Sequence, residues 1–146
     1  TIDEKGMAKT ADSKVEIAKR IYELVVNKYK MKPHDLIFDT LTFTLGSGDE
    51  EFRRAGIESI EAIRRIKQEL PGVKTILGVS NISFGLSPHL RHVLNSVFLH
   101  YTLEAGLDMA IVHAAKIMPL YKIDEKGRDL SRELIFDERK FEEAAA

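Results

Sequence analysis

Apolar positions along this chain follow two alternating patterns, long stripes at helical spacing and short unbroken runs. Ile17, Ala18, Ile21, Leu24 and Val25 stand at i, i+1, i+4, i+7 and i+8, which predicts an amphipathic helix with Thr10 or Asp12 as its N-cap. It should end near Lys30, because Pro33 bars continuation. A second helix carries Ile57, Ile60, Ile63, Ile66 and Leu70 on one side, has Arg64, Arg65 and Lys67 near its end, and stops at Pro71-Gly72. A third opens on Pro88, presents Leu90, Val93, Leu94, Val97, Phe98, Tyr101 and Ala105, and closes at Gly106. Between and after these helices lie apolar runs at 36–38, 75–79 and 109–112. None alternates, which suits strands of a parallel sheet covered on both faces.

The repeated order of helix then buried strand predicts an α/β fold in which ligands sit at the carboxyl ends of the strands. Those ends carry Asp39, Ser80-Asn81 and His113, so these residues should share one rim, with Lys32, Lys74 and Asp108 at the opposite end. Three strands cannot close a barrel, which takes eight strands and about 250 residues. The remaining strands are therefore expected outside the chain, and the first residues, Thr1-Ile2-Asp3-Glu4-Lys5-Gly6-Met7, read as the frayed end of a preceding strand and its loop. From Lys122 the pattern changes to charge-dense sequence, then to a weakly amphipathic helix over 130–141. This divides the chain into a barrel part, 1–121, and a linker with a helix, 122–146, leading toward another module.

Composition narrows the function classes. With 22 basic and 23 acidic residues in 146, no global basic field favours nucleic acid or an anionic membrane as the main partner. The absence of Cys removes disulfides, thiolate metal sites and thiol nucleophiles together, and is compatible with a reducing cytoplasm. No run approaches the roughly eighteen apolar residues of a membrane span, so the chain reads as soluble.

Asp39 is the strongest single candidate, since a carboxylate closing a buried strand needs either a ligand's N–H groups or the backbone N–H groups of its own loop. Asn81 donates and accepts at once, which suits a heterocycle edge, although a turn-forming Asn is the alternative. His113 is a base, a ligand or simply a satisfied structural residue. His89, His92 and His100 lack a third metal ligand placed by local spacing, so no metal is expected. Gly46-Ser47-Gly48 before Asp49 is a weak phosphate cradle, without the Lys of a P-loop. Arg91, near the start of the third helix, either pairs with a carboxylate or is solvated.

Taken together, Asp3-Glu4-Lys5-Gly6-Met7-Ala8, Ile37-Phe38-Asp39, Gly78-Val79-Ser80-Asn81-Ile82-Ser83-Phe84-Gly85-Leu86, Val93-Leu94-Asn95-Ser96-Val97-Phe98-Leu99 and Ala105-Gly106-Leu107-Asp108-Met109-Ala110-Ile111-Val112 resemble the folate (pterin-binding) domain of cobalamin-dependent methionine synthases. The resemblance runs from Thr1 to about Lys122, and the tail, with Leu134-Ile135-Phe136-Asp137, looks like the connection into the helical cap of a cobalamin module. It implies a pterin-binding (β/α)8 TIM barrel, of which this chain supplies about the last three βα units. It further implies that 5-methyltetrahydrofolate is bound for methyl transfer to cob(I)alamin and then homocysteine, with the cobalamin held by another module of the same parent chain. In such a domain Asp39 holds the pterin's amine and ring N–H groups, Asn81 bonds near the methyl-bearing N5 and is the catalytic residue, and Ser80 is its neighbour. Arg91 stands where the family has a basic residue, a match for which His89 competes, and His113 stands where Asn or Asp is commoner. The alternatives are a pterin methyltransferase serving a separate corrinoid protein, or a non-catalytic barrel fragment that self-associates or pairs with a complementing chain.

Overall fold

The computed structural model describes residues 1–144 and shows an α/β chain built on a parallel three-stranded sheet. The first residues form a small antiparallel hairpin of their own, β1 (Ile2–Asp3) and β2 (Gly6–Met7), with Ile2 opposite Met7. They are not the frayed end of a strand of the main sheet. Gly6, at φ 113°, permits the tight reversal, and the Lys5 N–H donates to Asp3 Oδ1 at 2.8 Å.

Helix α1 (Ala11–Tyr22) starts where Thr10 caps it, with Thr10 and Ser13 exchanging side-chain to backbone bonds. It widens into a π-helical turn, Glu23–Lys28, and breaks at Lys30, whose φ is 60°. Strands β3 (Ile37–Asp39), β4 (Lys74–Gly78) and β5 (Met109–Ile111) follow in spatial order, separated by α2 (Ala55–Glu69) and α3 (Pro88–Glu104). Strand ends differ from the expected runs by about one residue: Asp39 and Lys74 lie inside their strands, while Val79 opens a 3-10 turn, Val79–Ser83.

Register explains which face is covered. Phe38 pairs with Thr75, and Leu77 with Ala110, so these residues share the side against the helices. Leu77 is fully buried in a cluster with Ile60, Ile63, Val79, Val97 and Phe98. A second cluster joins Val15, Ala18, Phe38, Ala62 and Ile66 between α1, α2 and the sheet. The other face is open. Ile37 and Ile111 are 54% and 63% exposed, so the sheet is covered on one side rather than both. Strands of three residues are too short to display the alternation that would have revealed this.

Asp108 ties the N-terminal ends of two strands together, its Oδ2 accepting the Thr75 N–H and the Lys67 ammonium, each at 2.8 Å. Burial pushes its carboxyl up, but the bonds from Lys67 and Thr75 outweigh burial and hold it below the usual carboxylate range.

The C-terminal helix differs most from expectation. Helix α4 (Glu125–Ile135) begins five residues earlier than the predicted 130, because Asp124 caps it by accepting the Gly127 N–H at 2.8 Å. The charge-dense run is thus the helix's first turns, and the helix ends at Ile135, before Asp137 at φ 58°. Ile123 and Ile135 are buried in the same cluster as Leu77. Gly56 of α2 lets this happen: a Cβ there would stand 2.8 Å from the Ile135 carbonyl oxygen. A short helix, α5 (Phe141–Ala144), follows.

Candidate functional site

Parallel pairing in register brings three chain segments to one rim: Asp39 at the end of β3, the Val79–Ser83 turn after β4, and His113 after β5. Lys74 and Asp108 lie at the opposite end, beside the starts of β4 and β5. Asp39 is paired with Ile76, which in turn is paired with Met109, so its side chain projects from the open face.

Asp39 serves its own loop with one oxygen. Its Oδ1 accepts the Leu41 N–H at 2.8 Å, the local cap considered from sequence, and Leu41 sits at φ 62°. Beneath this loop lies a residue that sequence reasoning missed. Lys14 is completely buried; its ammonium donates to the Thr40 carbonyl and, at 3.4 Å, to that of Leu41, and stands 5.3 Å from the Phe43 ring centre. Burial lowers its pKa to about 8, against the opposing pull of the Asp39 and Glu58 charges. Ser59 Oγ also donates to the Leu41 carbonyl, at 2.8 Å. The available signal was position: Lys14 lies at i with Ile17, Ala18 and Ile21 at i+3, i+4 and i+7, a charge inside the apolar stripe.

Asn81 is exposed at the middle of its turn, and the turn is held from behind. The Leu45 N–H donates to the Ile82 carbonyl at 2.9 Å, and Thr44 Oγ1 donates to that of Phe84 at 2.7 Å. Gly46 and Gly85 make that approach possible. A Cβ on Gly46 would fall 2.4 Å from the Phe84 carbonyl oxygen, and one on Gly85, at φ 98°, would fall 3.0 Å from that of Gly46. Gly46-Ser47-Gly48 is therefore a packing device and not a phosphate cradle, since a 3-10 turn, Glu50–Phe52, intervenes before α2 begins.

Ser80, Arg91 and His113 come together elsewhere on the rim. They line a cavity of about 220 Å³ with His92, Asn95 and Lys116. Arg91 is anchored there, its Nε donating to Ser83 Oγ at 3.1 Å and its Nη2 to the Ser80 carbonyl at 3.2 Å. Asp39 and Asn81 do not line this cavity. A more apolar cavity of about 210 Å³ lies between α3 and α4, lined by Leu90, Leu94, Leu130 and Leu134, and holds none of the candidate residues except His89. Among the described residues no three His, Asp or Glu side chains converge as metal ligands would, and no helix is long and apolar enough to cross a membrane.

The chain is 54% identical over 140 residues to the methionine synthase of Mycobacterium tuberculosis (strain ATCC 25618 / H37Rv), and 50% identical over 140 residues to that of Mycobacterium leprae (strain TN). Each match covers 96% of this chain and 12% of the relative, so the chain spans about an eighth of their length. Residues 1–113 match the family described as Pterin binding enzyme, and with an α/β fold whose parallel strand ends gather Asp39, Asn81 and His113, the chain belongs to that family.

Proposed function

We propose that this chain is the C-terminal part of the folate-binding domain of a methionine synthase, a (β/α)8 barrel contributing its last three or so βα units here. The observation that carries this reading is the shared rim, with Asp39 and Asn81 at the ends of adjacent parallel strands in a chain of pterin-binding sequence. The open face and the exposed Ile37 and Ile111 fit strands that pair on both edges with the rest of a barrel. Methionine synthase is preferred over an enzyme serving a separate corrinoid protein because the matches extend past residue 113, where the family match ends, into the tail. We read that tail as leading toward a cobalamin module of the parent.

In this role Asp39 uses the oxygen not taken by Leu41 to accept the N–H groups of the pterin. Lys14 keeps the loop in place from below. Asn81 projects toward N5, where cleavage of a C–N bond to a tertiary amine requires a proton to approach as the bond weakens. An amide there stabilises the developing proton position without being an acid. A corrinoid held by another part of the parent would supply the nucleophile for the methyl group on its way to homocysteine. Titration of the full-length protein with 5-methyltetrahydrofolate tests the reading. Micromolar or tighter binding, lost by about tenfold or more in Asp39→Asn, is expected for the loss of a charge-assisted bond; absence of binding overturns it.

A further inference from the structure

The cavity beside the rim has a chemistry that pterin recognition does not use. Its polar lining is basic or neutral: Arg91, Lys116, His92, His113, Ser80 and Asn95, with no carboxylate among them. Although acidic residues outnumber basic ones in this chain, none of these basic groups takes part in an ion pair among the described residues. Arg91 cannot swing away to find one, since Ser83 and the Ser80 carbonyl hold it. The anchored Arg91 and the exposed Lys116 line one concave space without a counter-charge, an arrangement that suits an anion. The first turn of α3 adds to this, because its N-terminus opens on the same cavity at Pro88.

Asn95 narrows the ligand. It is 7% exposed, lines the cavity, and its Oδ1 is buried with no hydrogen-bond partner. A fully deprotonated anion such as sulfate offers acceptors only and leaves that oxygen unsatisfied. A ligand that alternates carboxylates with amide N–H groups satisfies both the cations and the orphan acceptor. The cavity also shares Ser80 with the turn that presents Asn81, so a molecule held at the rim can extend into it.

We propose that this cavity holds the glutamyl tail of the folate, with Lys116 and Arg91 on its carboxylates and Asn95 accepting a tail amide N–H. The inference rests on the folate-binding reading above. It makes Lys116 a residue that discriminates ligands by their tails and is indifferent to the pterin ring.

The test compares three ligands on the full-length protein: 5-methyltetrahydrofolate with one glutamate, the same with three, and a 5-methyltetrahydropterin lacking the aminobenzoylglutamate tail. Affinities are measured by calorimetry for wild type, Lys116→Gln and Lys116→Glu. The expected result is a loss of about threefold to tenfold for the triglutamate in Lys116→Gln, a larger loss in Lys116→Glu, and unchanged binding of the tail-free pterin. Raising salt should erode the wild-type advantage of the triglutamate in the same way. Equal losses for all three ligands, or an undiminished preference for the longer tail in both variants, overturn the proposal. Binding of the tail-free pterin with no gain from any tail overturns this inference alone, whereas failure of all three ligands to bind overturns the folate reading and this one with it.

Discussion

Replacing Lys14 by Met tests the least expected feature of the rim. Met preserves the length and apolar bulk of the stem while removing the ammonium, which lies fully buried under the Asp39 loop. Burial lowers the lysine from its ordinary 10.5 to about 8, equivalent to about 3 kcal/mol between the two protonation states. Below pH 8 both folded and unfolded chains carry the proton, and the fold bears the whole cost of a buried charge. Between pH 8 and 10.5 the folded chain has released its proton while the unfolded chain still holds it, so wild-type stability rises with pH across that window. The variant has no such gain. At neutral pH it escapes the desolvation cost but leaves the Thr40 carbonyl without its donor, a loss of about 1–3 kcal/mol, so the two proteins should differ little. The gap should then open by about 3 kcal/mol in favour of wild type as pH approaches 10.5. Urea unfolding of the pterin-binding domain at pH 7, 8, 9 and 10 measures it, the wild-type minus variant difference cancelling groups the two proteins share. Parallel curves across that range would refute a buried, charged Lys14.

Asn81→Ala should slow single-turnover methyl transfer by about 10²-fold or more while changing folate affinity little, because in the proposed role its bond strengthens only as N5 gains a proton; an unchanged rate removes Asn81 from that role. Gly46→Ala must displace the Phe84 carbonyl, 2.4 Å from the new Cβ, and should weaken methyl transfer by shifting the Asn81 turn. Normal kinetics in a folded Gly46→Ala protein would show that the turn tolerates the shift. Asp108→Asn should lose about 1 kcal/mol at pH 7. The wild-type contribution is present above the ordinary carboxyl value of 3.8 and is lost as pH falls through the lower folded value, so urea midpoints of the two proteins should converge at acid pH.

Much of the architecture is written locally in this chain. The helical stripes, the Thr10 cap, Pro88 at a helix start and Gly106 after its end act within a turn or two of themselves, and the structure places the corresponding helices there. The rim was legible for the same reason, since a polar residue closing an apolar run marks a strand end wherever the sheet lies. Tertiary packing decided the rest. Whether a three-residue strand is covered on one face or two depends on what stacks against it, and Ile37 and Phe38 differ only in that. The same holds for Lys14: helix periodicity places it on the apolar stripe, but its acceptor, the Thr40 carbonyl, lies 26 residues away in the chain. Gly46 and Gly85 are ordinary loop glycines until two loops meet backbone to backbone. The basic cavity at Arg91 and Lys116 exists only because α3 and the segment after β5 fold to the same side, an adjacency that depends on contacts distant in the chain.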